Sequence, residues 1–335
     1  MTRLAISIRS GTILLSLAVA FIPALGYTLL VWWLDRYERE PFRLLLVAFF
    51  WGAVPAIALA IVLEYRLGDP FAALETVLLR RLAMDSLLVP VIEELTKGLT
   101  LLLLFLLVRN EFDNVLDGIV YGAVIGFGFA MTENALYFID LLRKGGADQF
   151  TNVAMLRLLL FGLNHAFYSA IVGAGFGLAA EVTGPLRRWR WLFPLLGVLL
   201  AIAFHAVHNL GMALAATNRA ALLIAILANW GGVFLLVVIV LLSWQEERQW
   251  IAIELWPEVG TTLTPEEYVT ATSYGQRLGL WVRVWRQGGW HQAQRRSRHH
   301  SLITKLAFLK HRLRNNGPTP KLEAQIDQVR SQLQT

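Results

Sequence analysis

The apolar residues of this chain fall into long runs that are separated by short polar stretches. Seven of these runs have close to the ~20 residues that a helix needs to cross a bilayer. They cover residues 11–34, 44–63, 86–108, 115–139, 155–180, 192–215 and 220–243. The pattern predicts an all-α fold: a polytopic membrane helix bundle of about seven spans over residues 1–243, followed by a small C-terminal soluble segment over residues 244–335.

Composition supports the membrane assignment. Of the 335 residues, 56% are hydrophobic, and the mean hydropathy is +0.53, which is too apolar for two soluble domains. The net charge is +6, and residues 244–335 carry 13 Lys and Arg against 8 Asp and Glu, so the tail holds most of the excess. The chain has no cysteine, which excludes disulfides, thiol nucleophiles and thiolate metal sites.

The third run carries charges that a lipid-facing helix would not tolerate. Glu93, Glu94 and Lys97 lie about a third of the way into residues 86–108. On a helix, Glu93 and Lys97 share a face, and Glu94 is three residues from Lys97. A single buried ion pair would be explained by helix packing alone. Two carboxylates against one ammonium leave a surplus acid, and that acid indicates chemistry.

Further polar residues occur in the next three runs. They are Glu133 in the fourth run, His165 in the fifth, and His205, His208 and Asn209 in the sixth. Because consecutive spans alternate in direction, these positions and Glu93 lie within roughly 10–15 Å of the same membrane face. Independent packing residues would have no reason to share one depth, so the agreement favours a cavity that opens to one side.

Two groups of glycines predict close contact between helices. Gly118, Gly122 and Gly126 are spaced by four in the fourth run, and Gly173 and Gly177 have the same spacing in the fifth. Small residues at this spacing allow two helix backbones to approach closely. Packing is a complete explanation for them. The block DRYEREP at residues 35–41, between the first two runs, is predicted to be a solvated turn.

Four short motifs on successive runs together resemble the PrsW family of intramembrane proteases. They are EExxK (Glu93, Glu94, Lys97), FxxxE (Phe129 to Glu133), a histidine after an asparagine (His165), and HxxxN (His205 to Asn209). The resemblance covers about residues 30–215 and includes the DRYEREP block. PrsW proteins are in turn similar to CAAX prenyl proteases and bacteriocin-processing enzymes, which have an arginine one position after Lys97 and a histidine in place of Glu133.

The resemblance implies hydrolysis of a peptide bond in a membrane-bound protein, which in the PrsW case is an anti-sigma factor. We expect Glu93 to be the base that activates water, and Glu94 and Lys97 to set its ionisation and orientation. His165, His205 and Asn209 would contact the water and the oxyanion. Glu133 completes the candidate catalytic set.

A zinc mechanism is the alternative. Glu133, His165 and His205 or His208 would then hold the metal, with Glu93 acting on the bound water. No HExxH pair is present to fix two ligands on one helical turn, so the spacing leaves the cofactor open between none and zinc. The metal-free glutamate mechanism is slightly favoured.

Two other classes of function are compatible with membrane charges. One is a transporter or an ion or proton relay, but the chain has no visible internal repeat, which counts against it. The other is a non-catalytic membrane scaffold. The expected partners are a membrane-bound protein substrate and the lipid bilayer, and the sequence gives no indication of oligomeric state.

Orientation is not decided by the loop charges, because the Lys and Arg residues of the short loops divide eight and eight between the two sides. A basic tail is attracted by the anionic cytoplasmic leaflet. We therefore expect a multi-pass protein of the cell (inner) membrane with a cytoplasmic C-terminus.

The tail is predicted to be a small, mostly helical accessory domain. Residues 272–287 are aromatic and basic, and Arg295, Arg296 and Arg298 follow. Such a run could bind lipid headgroups or nucleic acid, but a solvated surface is the commoner explanation, so nucleic acid is not expected as a partner. One helical face near the end is formed by Leu322, Ile326, Val329 and Leu333.

Overall fold

A computed structural model describes residues 2–37, 39–108, 112, 114–215 and 217–334, with the backbone alone for residues 2–10 and 316. Every regular element in these ranges is helical, which confirms the all-α prediction. The longer helices are α1 (Thr2–Leu34), α2 (Phe42–Leu67), α3 (Val77–Ala83), α4 (Val89–Leu107), α5 (Val115–Arg143), α6 (Ala147–Met155), α7 (Asn164–Glu181), α8 (Leu192–Leu214), α9 (Arg219–Leu255), α10 (Pro265–Ala271), α11 (Tyr274–Asn316) and α12 (Pro320–Leu333).

The chain forms two compact units. The first consists of Met1–Leu34 and Glu40–Val238, and the second of Asp35–Arg39 and Ile239–Thr335. The division falls within α9, a few residues before the predicted boundary at residue 243. The grouping of Asp35–Arg39 with the tail was not predicted from the sequence.

Six segments in the described part of the chain are long and apolar enough to cross a membrane. They are Gly11–Leu34, Phe42–Leu67, Val115–Arg143, Ala147–Glu181, Leu192–Leu214 and Arg219–Glu258. Helix α4 has 19 residues, but Glu93, Glu94 and Lys97 all lie near its middle, so it has no 18-residue stretch with two or fewer charges, whereas each of these six has one. The protein is therefore a polytopic membrane helix bundle, with α4 as a charged additional helix.

The sequence predicted one continuous helix for the fifth apolar run, residues 155–180. The structure does not have one there. Helix α6 leads into a π-helical turn, Leu156–Leu160, and α7 starts afresh at Asn164. Gly162 allows the intervening turn, because a Cβ atom there would overlap the carbonyl group of Leu158. As a result, His165 lies in the first turn of a helix instead of ten residues inside one.

Helices α5 and α7 pack backbone to backbone, which confirms the prediction from the glycines. Cβ atoms added at Gly118, Gly122 and Gly126 would overlap the carbonyl groups of Gly173, Ser169 and His165, respectively. Helix α5 starts at a capping box, in which the Asn114 side chain accepts from backbone amides and the Asp117 carboxylate accepts from the Asn114 amide. A well-defined start and a glycine face together make α5 the central helix of the first unit.

The DRYEREP block is not a solvated turn. Asp35, Tyr37 and Glu40 are buried, the Arg36 guanidinium lies 3.4 Å from the ring centroid of Trp244, and Tyr37 packs in the core of the second unit. The prediction was wrong because a charged block pairs with aromatic rings that are about 200 residues away in the sequence. Glu38 lies outside the described residues.

The second unit has its own apolar core. The predicted face of α12 is buried in it, with Leu322, Ile326, Val329 and Leu333 packed against residues of α9, α10 and α11. Glu258 is buried at the edge of this unit and pairs with Lys310 and Arg330, each at 2.7 Å. The apolar face of α12 thus packs against other helices of the tail.

We predict that Gly122→Ala destabilises the first unit by roughly 1–3 kcal/mol, because the added methyl group would overlap the Ser169 backbone and force α5 and α7 apart. Thermal unfolding of the detergent-solubilised protein measures the effect. The matched control is Gly231→Ala in α9, where nothing lies within 4 Å of the added Cβ atom. Equal unfolding midpoints for the two variants would show that the glycine contact is not needed.

Candidate active site

The polar residues of α4, α5, α7 and α8 meet at one cavity of about 610 Å³ in the first unit. Its lining includes Glu93, Glu133, His165, Tyr168, His205, His208 and Asn209. Glu94 and Lys97 are not among the described residues that line it. The depth argument from the sequence therefore predicted which helices contribute, and the structure separates the residues on the cavity wall from those behind it.

A fully buried ion pair lies behind the cavity. The Lys97 ammonium is 2.6 Å from Glu94 Oε1, and both side chains are 0% exposed. The pair is local in sequence, because residues three apart on a helix are neighbours. His205 Nδ1 lies 2.8 Å from the same Glu94 oxygen, so the carboxylate bridges α4 and α8. One oxygen of Glu94 thus accepts from both a lysine and a histidine.

Glu93 is the carboxylate that faces the cavity. Its Oε2 atom lies 3.8 Å from Lys97 Nζ and 3.8 Å from His165 Nδ1. That oxygen is buried and has no hydrogen-bond partner in the described part of the chain. The surplus acid that the charge count indicated is therefore Glu93, because Glu94 is the one held by the lysine.

His165 is held at both ring nitrogens. Lys97 Nζ lies 3.0 Å from Nδ1, and Glu133 Oε2 lies 2.7 Å from Nε2. A protonated lysine only donates, so Nδ1 must accept and the ring hydrogen is on Nε2, toward Glu133. The imidazole ring packs 5.5 Å from the Phe129 ring. These contacts fix the tautomer and the orientation of the ring.

His205 is fixed by stacking as well as by Glu94. Its ring lies parallel to that of Tyr168, with centroids 4.9 Å apart and an interplanar angle of 17°. Because a carboxylate only accepts, the hydrogen on this histidine is on Nδ1, toward Glu94. The Tyr168 hydroxyl donates to Asn229 Oδ1 at 2.7 Å. Helix α9 therefore supports the site through Asn229.

Asn209 and His208 line the cavity without joining the central group. The Asn209 side chain donates to the backbone carbonyl of Asp85 at 2.7 Å, in the π-helical turn Met84–Leu88 that precedes α4. His208 Nδ1 lies 2.7 Å from Asn229 Nδ2 and accepts from it. Asn209 thus ties α8 to the start of α4, and His208 belongs to the Asn229 network.

Arg157 is a site residue that the sequence analysis missed. Its Nη2 atom lies 2.6 Å from Glu133 Oε1, and its Nε donates to Asn134 Oδ1 at 2.6 Å. The guanidinium also lies 4.5 Å from the centroid of the Tyr137 ring. Arg157 is the single charged residue in the apolar run 155–180, and a lone arginine in such a run was an available signal.

Four side chains come close enough to be considered as metal ligands. Candidate ligand atoms of Glu93, Glu94, His165 and His205 all lie within 4.8 Å of one another. Their nitrogen and oxygen donors are of the types that zinc accepts, and both glutamates have a buried oxygen without a hydrogen-bond partner among the described residues. Of the ligands predicted from the sequence, Glu133 and His208 are not in this group.

The position of Lys97 nevertheless counts against a metal at these side chains. The Lys97 ammonium lies within hydrogen-bonding distance of both Glu94 and His165, two of the four candidates. Both nitrogens of His165 already have protein partners. A second cation here would be repelled by the ammonium, and it would need His165 to give up an existing contact.

Comparison with known proteins identifies a family for this chain. The model of a family described as PrsW family intramembrane metalloprotease matches residues 40–245. The chain belongs to this family. It is therefore an intramembrane peptidase, and the cluster of Glu93, Glu94, Lys97, His165 and His205 lies within the matched residues. The match ends at residue 245, so most of the tail lies outside it.

Individual relatives carry the name Protease PrsW. The protein of Geobacillus kaustophilus is 31% identical over 175 residues, which are 52% of this chain and 69% of that protein. The protein of Halalkalibacterium halodurans is 26% identical over 240 residues, 71% of this chain and 94% of that protein. The Bacillus subtilis protein is 30% identical over 158 residues, 47% of this chain and 65% of that protein. No solved structure matches the chain significantly.

We predict that Lys97→Met destabilises the protein by roughly 3–5 kcal/mol, because it leaves the Glu94 carboxylate buried without its cation. Denaturant unfolding in detergent measures the loss. The double variant Glu94→Gln/Lys97→Met removes both charges and should recover most of the stability. If the single and the double variant have the same free energy of unfolding, the uncompensated Glu94 charge is not the cause of the destabilisation.

Proposed function

We propose that this protease uses a metal-free mechanism in which Glu93 is the general base. One observation carries the proposal: Glu93 lines the cavity and has one oxygen without a hydrogen-bond partner among the described residues, whereas Glu94 does not line the cavity and its Oε1 atom accepts from Lys97 and His205. A base must reach the proton that it takes, and Glu93 is the carboxylate of the EExxK motif that lines the cavity. Lys97 balances the carboxylate charge nearby.

The proposed reaction begins with a water molecule between Glu93 and the scissile carbonyl carbon. The water oxygen forms a bond to that carbon while Glu93 takes one water proton, and the carbonyl oxygen becomes an oxyanion. Collapse of the tetrahedral intermediate breaks the C–N bond, and the proton on Glu93 passes to the leaving nitrogen. All atoms and charges balance without a further reactant.

His205 is proposed to stabilise the oxyanion. Nδ1–H donates to Glu94, and a proton added at Nε2 would give the ring a second N–H for the oxyanion, with Glu94 compensating the positive charge as a carboxylate does beside a catalytic histidine. Stacking on Tyr168 restricts the direction of this donor. Asn209 lies one helical turn further along α8 and also lines the cavity, so it is a candidate second donor.

His165 is proposed to act through Lys97, because its Nδ1 atom accepts from the ammonium that lies 3.8 Å from Glu93 Oε2. Glu133 holds its Nε2 and Arg157 holds Glu133, which forms a chain of three polar groups across α5, α7 and the π-helical turn. Such a chain orients a ring in the way that outer contacts orient the groups of other hydrolytic sites. Glu133 and Arg157 are thus positioning residues, and the expectation that Glu133 is a metal ligand is not needed.

A zinc mechanism is the second candidate, because the family description names a metalloprotease and four donors cluster within 4.8 Å. Glu93, Glu94, His165 and His205 would be the ligands. The position of the Lys97 ammonium is the observation against it. The two candidates differ in their need for metal and can be separated by experiment.

The proposed substrate is a membrane-bound protein of the anti-sigma-factor class, as the resemblance implies. The described cavity lies among helices of the first unit and accepts a peptide segment that leaves the bilayer or unwinds within it. We propose the cell (inner) membrane as the location, with the C-terminus in the cytoplasm. Fusions of a topology reporter after residue 150 and at the C-terminus test the orientation.

The test of the mechanism is cleavage of single-span peptides by the protein reconstituted in lipid. Glu93→Gln should lower the rate by roughly 10²–10⁴-fold, because the amide cannot take the proton from water. The matched control is Glu75→Gln, the same change at an exposed glutamate in the loop before α3, which should cleave like the unchanged protein. Thermal unfolding shows whether both variants are folded.

A zinc chelator then separates the two candidates. Under the metal-free mechanism, the unchanged protein keeps its rate in chelator, and the purified protein holds no stoichiometric zinc by elemental analysis. A rate that is lost in chelator and restored by zinc would overturn the metal-free proposal. Cleavage that persists in a folded Glu93→Gln variant would overturn the base assignment under either candidate.

A further inference from the structure

The first half of α11 is an amphipathic segment that the tail core does not use. Helical geometry in α11 is interrupted at Gly289, where φ is 74°, so residues 274–288 form a separate helix. Apart from Tyr274, the apolar core of the second unit takes its α11 residues from the part after Gly289. The apolar side chains of residues 275–288 therefore need another explanation.

These side chains form one face. Leu278, Trp281, Val282 and Trp285 have the i, i+3, i+4, i+7 spacing of a single helical stripe. Leu278 and Trp285 are 45% and 48% exposed, and Trp290, just past the break, is 54% exposed. The rings of Trp285 and Trp290 each lie 6.0 Å from that of Trp281. Three tryptophans thus form a partly exposed aromatic cluster on the second unit.

The same segment is purely basic. No Asp or Glu occurs between Glu267 and Glu323, and the 43 residues of α11 contain ten Lys and Arg. Several of these cations are used inside the unit, such as Lys310 at Glu258. Arg283 and Arg286 are exposed and form no ion pair with any described residue. Each lies within two residues of Trp285 in the sequence, so the cluster carries an uncompensated positive charge.

A tryptophan cluster next to arginine residues is suited to the headgroup region of a membrane. Indole rings favour the boundary between headgroups and acyl chains, and arginine favours the anionic phosphates above it. The second unit continues from α9, which is apolar enough to cross the membrane, so a lipid surface is always near. Charge complementarity and this attachment favour lipid over a nucleic acid, which offers no apolar layer for the tryptophans.

We infer that Leu278, Trp281, Val282, Trp285 and Trp290, with Arg283 and Arg286, dock the tail onto the anionic lipid surface of the membrane. This inference does not depend on the catalytic mechanism. The matched family residues end at 245, so the surface is a feature of the tail and not of the matched protease unit. The consequence is a second, reversible membrane contact in addition to the spanning helices.

The absence of cysteine in the chain makes the test specific. The full-length protein with Leu278→Cys, labelled with an environment-sensitive NBD group, is placed in nanodiscs of phosphatidylcholine alone or of equal parts phosphatidylcholine and phosphatidylglycerol. We expect a blue shift of NBD emission in the anionic discs and quenching by doxyl-labelled lipid. The shift should shrink as salt rises from about 0.1 M to 1 M, where the Debye length falls from roughly 10 Å to 3 Å.

Two kinds of control complete the experiment. Ser331→Cys, at an exposed position of α12, should give the same emission in both discs. Adding Arg283→Gln/Arg286→Gln should remove the preference for anionic lipid, and adding Trp285→Ser/Trp290→Ser should remove the quenching, with unfolding midpoints unchanged. The inference is overturned if NBD emission at position 278 is the same in both kinds of nanodisc and is not quenched by doxyl-labelled lipid. A response to added RNA in place of lipid also overturns it, in favour of nucleic acid.

Discussion

The buried contact between Lys97 and Glu94 is the constraint on which the first unit depends. Two charges with no exposed surface are tolerated only if they neutralise each other and their remaining polar atoms find partners. Glu94 therefore also contacts His205 on α8, and Lys97 also contacts His165 on α7. Helix α4 cannot face lipid on this side. It has to be covered by the helices that carry the histidines, and covering it assembles the site.

Close packing of α5 on α7 sets the distances within that assembly. Gly126 lies against the backbone of His165, so the backbone of the histidine directly contacts α5. Glu133, two helical turns further along α5, then reaches the His165 ring, and Arg157 reaches Glu133 from the π-helical turn. Glycines that look like a packing feature thus decide how near α5 and α7 come to each other. A bulkier face on α5 would separate the polar groups by more than a hydrogen bond can bridge.

The second unit is stabilised by different interactions. Its core is formed by apolar residues of α9, α10, α11 and α12, and ion pairs such as Glu258 with Arg330 also lie in this unit. The break at Gly289 divides α11 into a part that packs in this core and a part that does not. A left-handed φ of 74° at that point suits glycine, since other residues are strained there. The break at this one residue therefore separates the segment that contains Trp281 from the part of α11 that packs in the core.

The sequence alone determined the all-α membrane class and the apolar runs that carry Glu93, Glu133, His165 and His205, because hydrophobic runs and helical spacing are local properties. It did not determine that Glu93 rather than Glu94 faces the cavity, that Arg157 belongs to the site, that Asp35–Arg39 groups with the tail, or that the fifth run breaks before Asn164. Each of these depends on which distant side chain satisfies a buried charge or hydrogen bond. Such partners are chosen by the packing of helices that are far apart in the chain, and only the tertiary structure decides them.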